Sequence, residues 1–229
     1  MSYTPDAPVN LAKDFSLTSK SQITLVWEDG SSNGGQPILD YRVSYDQAVG
    51  IWTVLSSSVT DQTITLSGTT SGQTYYFKVE ARNVIGYSTE SITIGIKAAI
   101  VPTAPTSVTT TRDVNNVVID WTPPSVNSLI DFGDAILGYR VYIRTSDSSL
   151  YEQDLSECPD TGPSTHTCTF SISVLQDYPF HLAEGNSIWA KVLAFNNIGD
   201  GAESIPGNGA SISTIVVPDA PINLQFDPD

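Results

Sequence analysis

Residues 75–88 read YYFKVEARNVIGYS and residues 188–201 read IWAKVLAFNNIGDG, so one pattern occurs twice with an offset of 113 residues (188 minus 75). In the first copy apolar residues occupy positions 75, 77, 79 and 81, and mostly polar residues lie between them. Alternation with a period of two predicts an antiparallel strand that has one buried face and one solvated face. The Asn-x-x-Gly segment that follows predicts a turn. The repeat therefore indicates two β modules of one design.

Two further stretches repeat in the same order. The matching pairs are ITLVWEDG (23–30) with VVIDWTPP (117–124), and LDYRVSYD (39–46) with LGYRVYIR (137–144). The first pair places Trp27 and Trp121 at equivalent positions, where we expect each to belong to a core. Turn-rich sequence separates the strands, and no segment has the periodicity of an amphipathic helix. The sequence predicts an all-β chain of two tandem antiparallel β-sandwiches.

A proline phrase marks where each module begins. Similar phrases start at Pro5, Pro102 and Pro218, and their spacing is that of whole domains. We therefore predict a first module at 1–100 and a second at 101–217, with an insertion bracketed by two cysteines. Residues 218–229 are expected to be a linker and the start of the first strand of a third module. Beyond about Asp219 that segment should be loosely held.

The order of these motifs resembles the fibronectin type III module, and the resemblance covers almost the whole chain twice. It rests on the proline-rich first strand, the strand tryptophan, G-x-P-I-L-x-Y-R-V, and G-x-x-Y-x-x-x-V-x-A-x-N-x-x-G. The resemblance implies an immunoglobulin-like sandwich. In that family a tyrosine at the start of strand F bonds back to the preceding corner, and Tyr75 matches it. Ile188 stands at the equivalent core position of the second module, so the bond is not expected there.

The resemblance also implies a function. It favours a non-catalytic structural or adhesive spacer of a large extracellular or cell-surface protein, whose partners are the neighbouring modules and an unidentified protein. Alternatives remain open: accessory modules of a secreted carbohydrate-active enzyme, an intracellular cytoskeletal array, or a receptor ectodomain.

Charge excludes some classes of partner. Ten basic residues against 25 acidic ones give a formal net charge of −15. Such a charge repels phosphate backbones and anionic lipid, which argues against nucleic acid and a bare membrane surface as partners. No stretch reaches the roughly 20 apolar residues of a membrane-spanning helix, so no direct membrane insertion is expected.

Catalytic and metal-binding patterns are not evident. His166 and His181 are the two histidines, and neither has a serine or cysteine nucleophile in a recognisable relation to it. No compact D-x-D-x-D-G run is present. We therefore predict no enzyme activity, no cofactor, and no catalytic, cofactor-binding or metal-binding residue.

The two cysteines, Cys158 and Cys168, bracket a polar loop that contains two prolines. A disulfide between them would close that loop and would favour an oxidising, extracellular setting. The alternative is a pair of buried, reduced thiols.

One apolar surface is predicted in the second module. Alternation in the strand that begins at Ile188 turns Trp189, Leu193 and Phe195 outward, with Tyr142 of a neighbouring strand on the same face. These four residues are a candidate protein-contact surface. Alternatively, the cysteine-bracketed insertion or the alkyl stems of Arg140, Arg144 and Lys191 cover them.

Overall fold

The computed structural model describes residues 1–124, 127–147 and 149–212. The segment 218–229, with its predicted third-module strand and its expected loose ending beyond Asp219, lies outside the described residues. The described chain is all-β and its strands pair in antiparallel sheets, which confirms the predicted fold class.

Contacts divide the chain into two compact units, and neither unit is one continuous segment. The first unit contains Met1–Ala104, Pro123–Gly138 and Leu193–Ala202. The second unit contains Pro105–Thr122, Tyr139–Val192 and the described residues from Glu203 onward. The module boundaries inferred from the repeat stay predictions. Below, the first copy means the elements up to residue 100, and the second copy means those that follow.

Seven strands build the first copy, and all belong to the first unit: β1 (Val9–Lys13), β2 (Gln22–Glu28), β3 (Asp40–Tyr45), β4 (Thr53–Val59), β5 (Thr63–Ser67), β6 (Thr74–Arg82) and β7 (Ile94–Lys97). They form one sheet of order β1-β2-β5 and another of order β4-β3-β6-β7. The inward side chains of both sheets make one hydrophobic core, whose fully buried members include Ile23, Leu25, Val43, Phe77 and Val79. Each large side chain buried in this way contributes about 1.5–3 kcal/mol, so the alternation fixes which face of a strand is inside.

The second copy contains β8 (Thr106–Asp113), β9 (Asn116–Thr122), α1 (Ser128–Phe132), β10 (Gly138–Arg144), β11 (Tyr151–Glu152), β12 (Thr167–Ser171), α2 (Ile172–Gln176), β13 (Ser187–Ile188), β14 (Ala190–Asn196), β15 (Gly199–Asp200) and β16 (Ala210–Ser211). Its sheets have the orders β12-β9-β8, β11-β10-β14-β15 and β13-β16. The sequence predicts neither helix, because each is a single turn and is too short to produce a periodic signal.

A tryptophan–tyrosine pair occupies the same place in both copies. The ring centroids of Trp27 and Tyr41 lie 5.4 Å apart, and those of Trp121 and Tyr139 lie 5.4 Å apart. Trp27 is 3% exposed and Trp121 is 5% exposed. Burial, followed by the hydrogen bond to Asp29, raises the pKa of Tyr41 to about 12, and burial raises the pKa of Tyr139. Both tyrosines therefore stay protonated in the cores at neutral pH.

The corner before β6 differs from its counterpart in the second copy. The backbone N–H of Thr70 donates a hydrogen bond of 2.8 Å to the Tyr75 hydroxyl, which ties the β5–β6 connection to the start of β6. This is the bond that the resemblance implies for Tyr75. Ile188 is fully buried but has no hydroxyl, so its packing contribution is purely apolar.

Candidate interaction surfaces

The solvent-facing side of the sheet β4-β3-β6-β7, here called the outer face, carries an ordered set of cations and aromatic rings. Because Tyr75, Phe77 and Val79 of β6 point into the core, alternation turns Lys78 and Arg82 outward. Arg42 of β3 lies opposite Glu80 of β6 in the sheet register. The outer face is therefore set by the same alternation that builds the core.

Two arginines on the outer face are held by carboxylates and enclose one ring. Arg42 donates from Nε to Glu80 Oε2 at 2.7 Å and from Nη2 to Glu80 Oε1 at 2.5 Å. Arg82 makes the same two-bond contact with Asp40. The Tyr87 ring centroid lies 4.0 Å from Arg42 Cζ and 5.5 Å from Arg82 Cζ. Bidentate pairs fix the guanidinium planes, and stacking on an aromatic face adds a cation–π attraction. The hydrogen bonds that the guanidinium groups donate to Glu80 and Asp40 raise the pKa of both arginines.

A lysine stack lies further along the outer face. Lys78 Nζ is 4.2 Å from the Trp52 ring centroid and 2.7 Å from Glu90 Oε1. These residues border a groove of about 390 Å³, which is also lined by Arg42, Ser44, Thr53, Val54 and Glu80. The groove thus offers an aromatic surface together with charges of both signs.

Two serines place Tyr87 and Glu90 on this face. The backbone N–H of Ala81 donates to Ser88 Oγ at 3.0 Å, and that of Val79 donates to Ser91 Oγ at 3.0 Å. Both serines also return a backbone hydrogen bond to β6 at 2.8 Å. The chain after β6 therefore runs beside the strand, and the residues that precede the two serines, Tyr87 and Glu90, lie on the outer face. Sequence reasoning missed Tyr87, Glu90 and Trp52, although the serine spacing in YSTES was a usable signal.

The second copy repeats the lysine stack within the second unit. Lys191 Nζ lies 4.3 Å from the Tyr151 ring centroid and 3.0 Å from Glu203 Oε2. Ser204 Oγ accepts a hydrogen bond of 3.0 Å from the backbone N–H of Val192, as Ser91 Oγ does from Val79. A lysine between an aromatic ring and a glutamate is therefore common to both copies.

The four residues predicted as one contact surface do not behave alike. Tyr142 and Trp189 are half-buried members of the second unit, and Arg144 Cζ lies 5.3 Å from the Trp189 ring centroid. Leu193 is 6% exposed, which corrects the expectation that it is a surface residue. Its neighbours Val192 and Ala194 are buried as well, so both faces of β14 are covered at this point and simple alternation fails. Phe195 is half-buried.

The cysteine pair is a disulfide, as predicted. Cys158 and Cys168 are bonded, with Cα atoms 5.9 Å apart, a usual spacing for such a bridge. The segment before Cys168 also pairs with β10, because Thr161 and Tyr139 exchange backbone hydrogen bonds of 3.0 and 3.1 Å. Arg140 Nε donates to Asp160 Oδ2 at 3.0 Å. The bridge therefore closes a segment that is already attached to the sheet edge.

The histidines are not assembled into a reactive group in the described part of the chain. His166 Nε2 lies 3.1 Å from the Pro163 carbonyl oxygen, and the His166 ring meets Tyr139 edge-on. His181 is exposed. Across residues 1–124, 127–147 and 149–212, no cluster of histidine, cysteine, aspartate and glutamate has the geometry to hold a metal. The helices in those ranges are single turns, and none could span a bilayer.

Comparison with known proteins identifies the family of the first copy. Residues 6–96 match the family described as fibronectin type III domain. Kelch domain-containing protein SSO1033 of Saccharolobus solfataricus is 32% identical over 129 residues, which are 56% of this chain and 16% of that protein. Chitinase A1 of Niallia circulans is 30% identical over 151 residues, which are 62% of this chain and 19% of the enzyme. The chain spans less than a fifth of the length of these curated relatives.

A solved structure extends the likeness to both copies. The crystal structure of the FN1–FN3 domains of chicken CNTN1 aligns with a TM-score of 0.52 at 17% identity, covering 93% of this chain and 69% of that chain. At this identity the alignment shows a shared fold, and function has to be argued from sites. Residues 6–96 are therefore a fibronectin type III domain, a non-catalytic structural module, and the chain is built on the fold of the fibronectin type III family.

Proposed function

We propose that this chain is a non-catalytic structural or adhesive spacer segment of a larger extracellular or cell-surface protein. It consists of modules at 1–100 and 101–217 and of the start of a further module at 218–229. Its partners are the neighbouring modules of the same polypeptide and a second protein. The Cys158–Cys168 disulfide is the observation that carries the proposal.

The disulfide supports an oxidising compartment. Disulfides persist in secreted and surface proteins, whereas cytosolic thiols are kept reduced. Cys158 is 1% exposed and Cys168 is 8% exposed, so the bridge is shielded by the surrounding segment. A structural role fits this placement better than a catalytic redox role, because reactive cysteines are partly exposed and lie in electropositive surroundings.

The outer face of the first copy is the proposed protein-contact surface. Tyr87, Trp52 and Arg42 are of the residue types that dominate binding energy at protein interfaces. Their ion pairs and ring contacts already fix their conformations, so little side-chain entropy is lost on binding. Tyr142 and Trp189 are the corresponding candidates in the second copy.

Thiol alkylation of the protein isolated from its natural source, with mass spectrometry, tests the compartment. We expect no alkylation of Cys158 or Cys168 before reduction and alkylation of both afterwards. Alkylation of both cysteines before reduction would contradict the extracellular proposal and would favour an intracellular array.

A second candidate function is an accessory segment of a secreted carbohydrate-active enzyme. The observation that favours it is the 30% identity with chitinase A1 over 62% of this chain. The sequence of the full-length polypeptide distinguishes the two proposals, because this candidate requires a glycoside-cleaving domain in the same chain.

A further inference from the structure

The sequence contains two Asn-Gly steps, Asn33–Gly34 in the first copy and Asn208–Gly209 in the second. An asparagine before a glycine can lose its side-chain amide, because the glycine nitrogen reaches the asparagine Cγ without hindrance from a Cβ. The reaction is intramolecular and needs only water to finish, so the geometry around each step decides its rate. That geometry differs between the two copies.

Asn33 is arranged for this reaction. It is exposed in the connection between β2 and β3, and its Oδ1 accepts a hydrogen bond of 2.9 Å from the backbone N–H of Gly35. Attack by the Gly34 nitrogen turns that oxygen into an oxyanion, and a hydrogen-bond donor already in place lowers the barrier. The Gly34 N–H donates to Ser32 Oγ at 3.1 Å. A hydroxyl therefore lies where the amide proton leaves and can pass it to water.

Asn208 is exposed as well, but its side chain is tied to a distant strand. Its Oδ1 accepts hydrogen bonds from the backbone N–H of Thr110 at 2.6 Å and from the Thr110 hydroxyl at 2.9 Å. Thr110 belongs to β8 and is 2% exposed, so these donors cannot follow the side chain as it closes a ring. Loss of both hydrogen bonds should slow the reaction by about tenfold.

We propose that Asn33 is a site of spontaneous deamidation, and that its isoaspartyl product releases residues 3–6 from the connection between β2 and β3. The Gly34 nitrogen bonds to Asn33 Cγ, and the side-chain nitrogen leaves as ammonia with the proton of the Gly34 amide. Water then opens the succinimide ring. Attack of water at Cγ gives aspartate, and attack at the main-chain carbonyl carbon gives isoaspartate. Either product adds a carboxylate to the loop.

Residues 3–6 are held by the same loop. The backbone N–H of Tyr3 donates to the Gly34 carbonyl oxygen, and that of Asp6 donates to the Ser32 carbonyl oxygen, both at 2.8 Å. A side chain at Gly34 would overlap the Tyr3 carbonyl oxygen. The two segments are therefore packed too closely to accept a longer backbone between them.

The isoaspartyl linkage disrupts this attachment. Asn83 is 2% exposed, and its Nδ2 joins the two segments by donating to the carbonyl oxygens of Tyr3 at 2.8 Å and Asn33 at 2.9 Å. In isoaspartate the Asn33 carbonyl group becomes a free carboxylate, and the chain continues to Gly34 through Cβ and Cγ. The added backbone atom displaces the groups that Asn83 and Tyr3 bind. The inference goes beyond the spacer proposal, because it concerns a chemical change within the first copy.

Peptide mapping of the whole chain by mass spectrometry, after incubation at mildly alkaline pH, measures both rates. In the folded chain Asn33 should deamidate about tenfold faster than Asn208. The urea-unfolded chain is the matched control, because both steps lose their tertiary partners there and their rates should become similar. Asn33→Gln should block the reaction at this position on the same timescale, since a glutamine would have to close a larger ring.

Hydrogen–deuterium exchange of the purified isoaspartyl form tests the release. The amides of Tyr3 and Asp6 should lose the protection that they have in the fresh chain, whereas those of β2 and β6 should keep it. Freshly prepared Asn33→Asp carries the same added charge with an ordinary peptide linkage, and it should keep Tyr3 and Asp6 protected. This variant separates the effect of the linkage from that of the charge.

Several outcomes would overturn the proposal. Equal rates at Asn33 and Asn208 in the folded chain, or the same ratio of rates in the folded and unfolded chains, would contradict selection of Asn33 by the structure. Unchanged protection of Tyr3 and Asp6 in the isoaspartyl form would contradict the release, and an equal loss in Asn33→Asp would contradict release by the linkage. None of these results bears on the spacer proposal, which thiol alkylation tests separately.

Discussion

In the first copy Lys78 lies between Trp52 and Glu90, and in the second copy Lys191 lies between Tyr151 and Glu203. Beyond this shared lysine stack the copies differ. The first continues with carboxylate-held arginines around Tyr87 and ends at the open edge of β4. The second has a shortened edge strand and a segment closed by a disulfide. The comparison indicates that one sandwich plan can leave the edge of a sheet open or can join the chain beside that edge by a covalent bridge.

The largest difference concerns covalent closure, and removing the disulfide should reveal it. The Cys158→Ala, Cys168→Ala double variant should lose about 3 kcal/mol of unfolding free energy in the second copy, since a loop of this size gives roughly that gain. Denaturant unfolding followed by NMR signals of each copy measures the effect. An equal loss in the first copy would contradict the assignment of the bridge to one copy alone.

Two glycines sharpen the comparison of the strands. A Cβ at Gly95 would lie 2.8 Å from Tyr76 Cε1, and a Cβ at Gly209 would lie 2.8 Å from Trp189 Cζ2. Gly209 also has a φ of +71°, a left-handed conformation that costs other residues about 1–2 kcal/mol. Gly209→Ala should therefore be more destabilising than Gly95→Ala by about that amount. Urea unfolding of the two variants measures the loss of unfolding free energy in each. Equal losses would show that the contact with the aromatic ring, and not the backbone conformation of Gly209, determines the cost.

The corner hydrogen bond should be a property of the first copy only. Tyr75→Phe leaves the Thr70 N–H without its acceptor and should cost about 1–1.5 kcal/mol of unfolding free energy. Tyr45→Phe is the matched control, because in the described residues the Tyr45 hydroxyl makes no hydrogen bond, and it should change stability little. If both variants lose the same free energy in urea unfolding, the corner bond contributes nothing specific.

The smallest effects are expected at the shared lysine stack. Lys78→Met and Lys191→Met keep the alkyl stem and remove the charge, and each should cost less than about 1 kcal/mol. The two losses should be similar and should shrink in high salt, because salt screens exposed ion pairs. Thermal unfolding at low and high salt measures this. A large loss at only one site would mean that the two stacks are not equivalent.

Local alternation made much of the fold predictable. The inward positions of β6 and the buried positions of the two equivalent tryptophans, Trp27 and Trp121, follow from a period of two in the sequence, because each strand has one buried face. The disulfide was predictable because both cysteines bracket one short polar loop. The two helices were not, since a single turn has no period to detect.

The candidate surfaces were less predictable, because they depend on contacts between residues distant in sequence. Trp52 reaches Lys78 only through the pairing of β4 with β3 and of β3 with β6. Alternation along β14 places Leu193 on the outward face of the strand, but Leu193 is buried. The sequence of a strand does not show whether other parts of the chain cover its outward face. The available signal was the serine spacing after β6, which places Tyr87 and Glu90.

Hydrogen–deuterium exchange of the whole chain, with and without a reductant, tests most directly whether the two copies are stabilised by different means. We expect reduction to increase exchange in β10 and β12 and to leave β2, β3 and β6 protected. Unchanged exchange in β10 and β12, or an equal increase in both copies, would contradict the account.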